Sequence, residues 1–320
     1  MQFQILINNL TNPTLLFFLL GIIAVRLKSD LEIPESSSKF ISLYLLFAIG
    51  FKGGQELAVS GFNTQIVYAL LFGFVLAATI PFYTFHILKR KLGFSDAGAI
   101  AASYGSVSAV TFVAAISFLE LQKIHSGGHM VAVMALMESP AIIVGVMLMM
   151  HYDKENQESR NVSIASIAKH SLTNGSVLMI FGSLVIGLIA DVKQAEGIKP
   201  FTNDIFKGFL SIFLLEMGMV TARRFSAFLK YGWFVTLFAI VIPAINGSLV
   251  AYVSQFITVE VGDRFIFAVL AASASYIAVP AAMRIAAPKA DPGLYVPMAL
   301  GVTFPFNIAI GMPLYYMIIQ

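Results

Sequence analysis

Apolar stretches recur along the whole of this chain and leave no room between them for a soluble domain of useful size. Counted at the ~20 residues that cross a bilayer, they predict ten spans, at 13–28, 38–58, 64–88, 95–119, 128–150, 172–191, 204–222, 232–257, 263–287 and 292–319. The longest polar connection, HYDKENQESRNVSIASIAKH from His151 to His170, falls between the fifth and sixth. The expected division is a five-span unit over 1–150, a cytoplasmic linker over 151–171 and a second five-span unit over 172–320.

The two units read as copies. LTNPTLLFFLLGIIAVRL from Leu10 aligns without gaps to LTNGSVLMIFGSLVIGLI from Leu172. AAS at 101–103 matches AAS at 271–273, and GHMVAVMALMESPA from Gly128 lies over GLYVPMALGVTFPF from Gly293, with Pro140 opposite Pro305. The matches keep their order at offsets of 162, 170 and 165. An odd number of spans per copy forces the second to insert upside down, so the expected architecture is an inverted repeat, all-α, with a pseudo-twofold axis in the membrane plane.

One span breaks the apolar rule at its centre. In FSDAGAIAASYGSVSAVTFVAAISFL, Ser103, Gly105, Ser106, Ser108 and Thr111 stand where Leu and Ile are usual. Small hydroxyl residues there either let helices pack closely or let a helix break and offer backbone groups to a polar solute. Its repeat partner is AASASYIAVP, which puts Ser103 opposite Ser273, Gly105 opposite Ser275 and Ser106 opposite Tyr276. Pro280 is expected to interrupt the helical ladder just after this segment. Two broken helices meeting at mid-depth would aim free N–H groups and positive partial charge at one point, which suits an anion. Hydroxyls of Ser106, Ser108, Thr111, Ser273, Ser275 and Tyr276 would complete the shell, and unwound carbonyls would suit a cation such as sodium.

Composition agrees with a membrane protein: 58% of the 320 residues are hydrophobic, mean hydropathy is +0.84 and only 12% are charged, against about 25% in soluble proteins. No cysteine is present, which excludes a thiol nucleophile, a thiolate metal site and a disulfide. The five histidines lack ligand spacing. No span carries a paired-aspartate, Ser/His or HExxH arrangement, so the chain is not expected to be an enzyme. The first residues lack a basic leader and cleavage site, so the first span should be retained. Alternate loops collect fourteen basic residues on one side and six on the other, which predicts the richer side cytoplasmic and both termini outside.

Ionisable residues inside spans are costly and by default functional. Glu138, just before Pro140, is the leading case, as an ion ligand or proton carrier; its repeat counterpart is Thr303. Glu216 is a second buried acid with Lys52 as candidate partner, unless both are interfacial charges near helix ends. Asp96 and Asp263 open the fourth and ninth spans in the manner of helix N-caps. Trp233, Tyr315 and Tyr316 suit an interfacial aromatic belt.

YGSVSAVTFVAAISFLE, ALMESPAIIVG, AASASYIAVPAAMRIAAPKADPGLYVPMALG and the glycines of FAIGFKGGQEL together resemble the sodium-dependent bicarbonate transporter family typified by the cyanobacterial high-affinity transporter, over nearly the whole chain. The resemblance implies ten spans in two inverted five-helix repeats, with a core domain moving against a scaffold, or gate, of spans 1, 2, 6 and 7. It implies a homotrimer in the bacterial cytoplasmic membrane, and a secondary transporter taking up bicarbonate with sodium by an elevator-like alternating-access mechanism. By position, the substrate segment becomes Gly105, Ser106, Val107 and Ser108 with Ser273, Ser275 and Tyr276, and the cation or coupling residues become Ser108, Thr111, Glu138 and Ser275.

No cofactor beyond sodium is implied, and no nucleic acid; a PII-like regulatory protein occurs as a partner in the family, whose cyanobacterial member has a far longer central insert than 151–170. Where the family reads SSSDISGPP this chain reads SASYIAVPA, so Tyr276 stands in place of an aspartate. That change leaves open a carrier of another small organic anion, or a solute-sensing receptor or channel on the same fold.

Overall fold

The structure, a computed structural model, describes residues 13–153 and 164–320. The N-terminal segment before Pro13 and most of the central connection, with Lys154 and Arg160, lie outside the described residues. All regular secondary structure among the described residues is helical. In order come α1 (Pro13–Arg26), α2 (Glu35–Ser60), α3 (Thr64–Leu88), α4 (Phe94–Gly105), α5 (Ala109–Leu121), α6 (His129–Tyr152) and α7 (Ile164–Leu172). Then follow α8 (Gly175–Ile189), α9 (Val192–Glu196), α10 (Phe206–Phe228), α11 (Trp233–Val253), α12 (Val261–Ala272), α13 (Ala278–Ala286) and the π-bulged stretch α14 (Pro292–Ile319).

Six helical stretches among the described residues are long and apolar enough to cross a membrane, and two shorter apolar helices accompany them. Of those six, the interrupted pair α4–α5 is the most enclosed, with 83% of its apolar window buried, and α3 the least, with 33%. The stretch whose centre carries Ser103, Gly105, Ser106 and Ser108 is therefore the most enclosed of the six.

Side-chain caps start several helices. Asn63 accepts the Ile66 N–H at 3.0 Å before α3, and Asn174 accepts the Ser176 N–H at 3.0 Å before α8. Capping at an N-terminus meets donors that have no helical partner. The caps predicted at Asp96 and Asp263 are not formed. Each aspartate sits in the first turn of its helix and reaches sideways: Asp96 accepts the Asp291 N–H at 2.8 Å, at the start of α14. Asp263 accepts the Gly127 N–H at 2.6 Å, at the start of α6, and stands 3.4 Å from His129. A fixed N–H from a neighbouring loop has taken the carboxylates away from their own helix ends.

Two helix pairs interlock through glycine. A Cβ on Gly21 of α1 would lie 2.0 Å from the Leu215 carbonyl of α10, and one on Gly218 of α10 would lie 2.0 Å from the Phe18 carbonyl. In the second pair, a Cβ on Gly54 of α2 would lie 2.0 Å from the Leu184 carbonyl of α8, and one on Gly187 would lie 2.1 Å from that of Phe51. Backbones meet directly in both, the close approach that small residues permit between apolar helices. Lys52, also on α2, does not pair with Glu216. Its Nζ lies 3.6 Å from Glu120 at the end of α5, and Lys207 of α10 reaches the same carboxylate at 3.2 Å.

Candidate functional site

Both predicted interruptions are present, and they begin alike. α4 ends at Gly105 and Ser106 turns extended, with φ −79° and ψ 163°; α12 ends at Ala272 and Ser273 turns extended, with φ −83° and ψ 165°. Helix resumes at Ala109 in α5 and at Ala278 in α13. The second break precedes Pro280 rather than following from it. Pro280 is the third residue of α13, where a missing N–H costs nothing because the first turn has no helical acceptor for it.

The two extended segments are tied together. The Ser275 N–H donates to the Ser103 carbonyl at 2.8 Å, and the Ser103 hydroxyl donates back to the Ser275 carbonyl. The Ser108 N–H donates to Ser273 Oγ at 3.1 Å, while that hydroxyl donates to the Leu270 carbonyl at 2.9 Å. Ser103 and Ser273 thus spend their hydroxyls on struts. Ser108 caps α5, accepting the Thr111 N–H at 3.2 Å. Gly105 has a packing reason to be glycine, since a Cβ there would sit 2.2 Å from Pro81 of α3.

The carbonyls left at the C-terminal end of α12 are met by amides that sequence reading did not single out. Asn246 of α11 donates to the Ala271 carbonyl at 3.1 Å and Asn307 of α14 to the Ala272 carbonyl at 2.7 Å. Tyr83 holds Asn246, and the Tyr315 hydroxyl lies 3.0 Å from both Asn307 Oδ1 and the Pro243 carbonyl. Tyr315 is therefore a buried part of this network rather than an interfacial aromatic. A lone asparagine in an apolar run was the available signal.

Beside the crossing lies a cavity of about 20 Å³, a size that holds one water. Its wall includes Val107, Ser108, Ala109, Glu138, Ser275 and Tyr276 from around the breaks, with Ser176 of α8 opposite. Glu138 is 9% exposed and has no hydrogen bond or ion pair among the described residues. The Tyr276 phenol lies beside Ser108 and donates to Met217 Sδ of α10 at 3.7 Å. Ser106 is fully buried with an unpartnered hydroxyl. Buried polar atoms are normally satisfied, so an orphan here asks for a ligand or a water.

The predicted residues do not all share the cavity. Val107, Ser108, Ser275, Tyr276 and Glu138 meet there; Gly105, Ser106, Ser273 and Thr111 stand behind it in the crossing. Glu216 does not line the cavity; its Oε2 is buried and unpartnered. No cluster of three or more metal-ligating side chains occurs among the described residues.

In chemical terms this is a small, largely apolar pocket with two helix N-termini, a few hydroxyl groups and one carboxyl group at its wall. A search of curated proteins returns no match. The model of the Na+-dependent bicarbonate transporter superfamily matches residues 13–320, nearly the whole chain. The interrupted crossing and this match agree, and the chain belongs to the Na+-dependent bicarbonate transporter superfamily.

Proposed function

We propose that this protein is a secondary active transporter that takes up a small anion, bicarbonate in the first instance, together with sodium, and performs no enzymatic chemistry. The observation that carries the reading is the orphan Ser106 hydroxyl at a crossing from which α5 and α13 both start. Helix N-termini favour anions through their free N–H groups and dipoles, and transporters place solutes where interrupted helices cross at mid-depth. Gly105, Ser106, Val107 and Ser108, with Ser273, Ser275 and Tyr276, form the anion side. Ser108, Thr111, Ser275 and Glu138 form the cation or coupling side.

The proposed architecture is ten spans in two inverted five-helix repeats, 1–150 and 172–320, joined by a linker over 151–171. Two reciprocal patterns support it: Asp96 ties α4 to the start of α14 as Asp263 ties α12 to the start of α6, and the glycine interlocks of α1 with α10 and α2 with α8 mirror each other. Those interlocked helices form the scaffold. The core of α3–α6 and α11–α14 then slides past it, carrying the crossing between the two sides in an elevator-like cycle. The setting is a lipid bilayer, the bacterial cytoplasmic membrane, with both termini outside and three copies assembled; a PII-like protein is a candidate regulator.

Proteoliposomes holding the full chain and given labelled bicarbonate test the proposal. Accumulation with an inward sodium gradient and none without it is the expected result. Failure to accumulate bicarbonate or any small carboxylate under any gradient overturns it. Tyr276 favours a second reading within the same class, a carrier of another small organic anion, which competition of unlabelled carboxylates against bicarbonate would reveal.

A further inference from the structure

We infer that Glu138 is a proton-binding site that must be neutral before the anion binds, so that the anion crosses with a proton on this carboxyl group. The inference rests on the transport reading and specifies what neutralises Glu138.

Glu138 lies in the middle of α6, 9% exposed, and shares one cavity with Ser108, Ser275 and Tyr276. No basic side chain lines the cavity to pair with a negative charge on Glu138. The cavity walls from α2 and α8 bring Leu46, Ser176 and Ile180, and the interrupted segments bring Ser108, Ser275 and Tyr276. Tyr276 is the one other ionisable side chain on this wall, and Glu216 of α10 stands beyond it. Both become negative when they ionise, so neither can act as counter-ion. Lys52 and Lys207 of the neighbouring α2 and α10 pair with Glu120 at the end of α5.

A bare carboxylate in such a place is strongly disfavoured, and the group answers by taking up a proton. An anion entering a cavity of about 20 Å³ beside an ionised Glu138 would add a second negative charge at contact distance. The carboxylic acid removes that repulsion and offers an O–H donor to the arriving anion. Only an O–H bond forms and breaks: the carboxylate takes a proton from water on the loading side and returns it to water on the releasing side. Because the protonated form is the competent one, anion binding weakens as pH rises through the titration of Glu138.

Infrared difference spectroscopy on the full chain in lipid reads the C=O stretch of a protonated carboxylic acid without requiring transport. The expected result is a band that is present in potassium buffer, persists when sodium replaces potassium, shifts when bicarbonate is added and is missing in Glu138→Gln. Loss of the band on adding sodium would place sodium on the carboxylate and overturn the inference. So would spectra of wild type and Glu138→Gln that do not differ. Should Glu138→Gln fail to fold, Glu138→Asp serves instead: a band that moves supports the assignment, and one that stays put refutes it.

A second readout is the pH dependence of bicarbonate counterflow. In the wild type it falls by up to about tenfold per pH unit, the limit for one linked proton; Glu138→Gln is expected to lose sodium-driven uptake, and whatever exchange it retains should lack this slope. An unchanged slope in Glu138→Gln would contradict the inference. Absence of counterflow in the wild type would fault the transport reading alone, and the infrared band would still decide the state of Glu138.

Discussion

Two places in the molecule set a polar group of a long apolar helix against the end of an interrupted one, and they are finished differently. On one side Thr303 of α14 meets Tyr104, at the end of α4. The Tyr104 hydroxyl lies 2.7 Å from Thr303 Oγ1, which donates at 2.8 Å to the Ala239 carbonyl, and the Tyr104 ring stands edge-on to Phe238. Every polar atom has a partner and the pair is buried. On the other side Glu138 of α6 faces the breaks at Ser108 and Tyr276 across a cavity and has no partner. Proteins seldom leave a buried polar group unsatisfied without a functional reason. The closed side holds the helices together, and the open side leaves an unpartnered acid beside a cavity of about 20 Å³.

The comparison breaks most visibly if the open side's acid is built into the closed side. Thr303→Glu should destabilise by about 3 kcal/mol or more, because it orphans the Ala239 carbonyl and buries a carboxyl with no counter-ion. Thermal unfolding in detergent would record this as a large drop in midpoint. The complementary change has the opposite sign. Glu138→Met should raise stability by about 1–2 kcal/mol, since replacing a buried, unpartnered polar group by an apolar one of similar volume removes its desolvation cost, and should abolish sodium-driven uptake.

A finer contrast comes from removing one hydroxyl on each side. Tyr104→Phe should cost about 1 kcal/mol, the worth of a buried hydrogen bond, with uptake retained. Tyr276→Phe, which gives up contacts with a sulfur and the Ser108 hydroxyl, should stay within about 0.5 kcal/mol of wild type while altering the anion's apparent affinity. Equal stability losses in the two phenylalanine variants would erase the distinction.

The membrane class, the helix positions and both interruptions were legible in the sequence, because lipid imposes length and apolarity on each helix and because Ser and Gly at mid-depth contradict that rule. Glu138 was legible for the same reason. What was not legible depended on partners distant in the chain. Asp96 and Asp263 have the composition of caps, and only the arrival of the Asp291 and Gly127 N–H groups redirects them.

Lys52 could not be assigned to Glu120 rather than Glu216 without knowing that the end of α5 meets the start of α10. Pro280 looked like the cause of a break that it merely follows. Ser103 and Ser273 could not be told from Ser106 by residue type: the first two are struts, and the third has no partner.

The most direct test of the crossing as the transport site is labelled-bicarbonate uptake driven by a sodium gradient, measured for wild type, Ala109→Phe and Thr303→Ser at matched protein levels. Ala109 lines the cavity of about 20 Å³, so a phenyl ring there overfills it and blocks the crossing, whereas Thr303→Ser keeps the hydroxyl of the closed side. Uptake at background in Ala109→Phe, with Thr303→Ser close to wild type, is the predicted result. Uptake by a folded Ala109→Phe at the wild-type rate would contradict the assignment of the site.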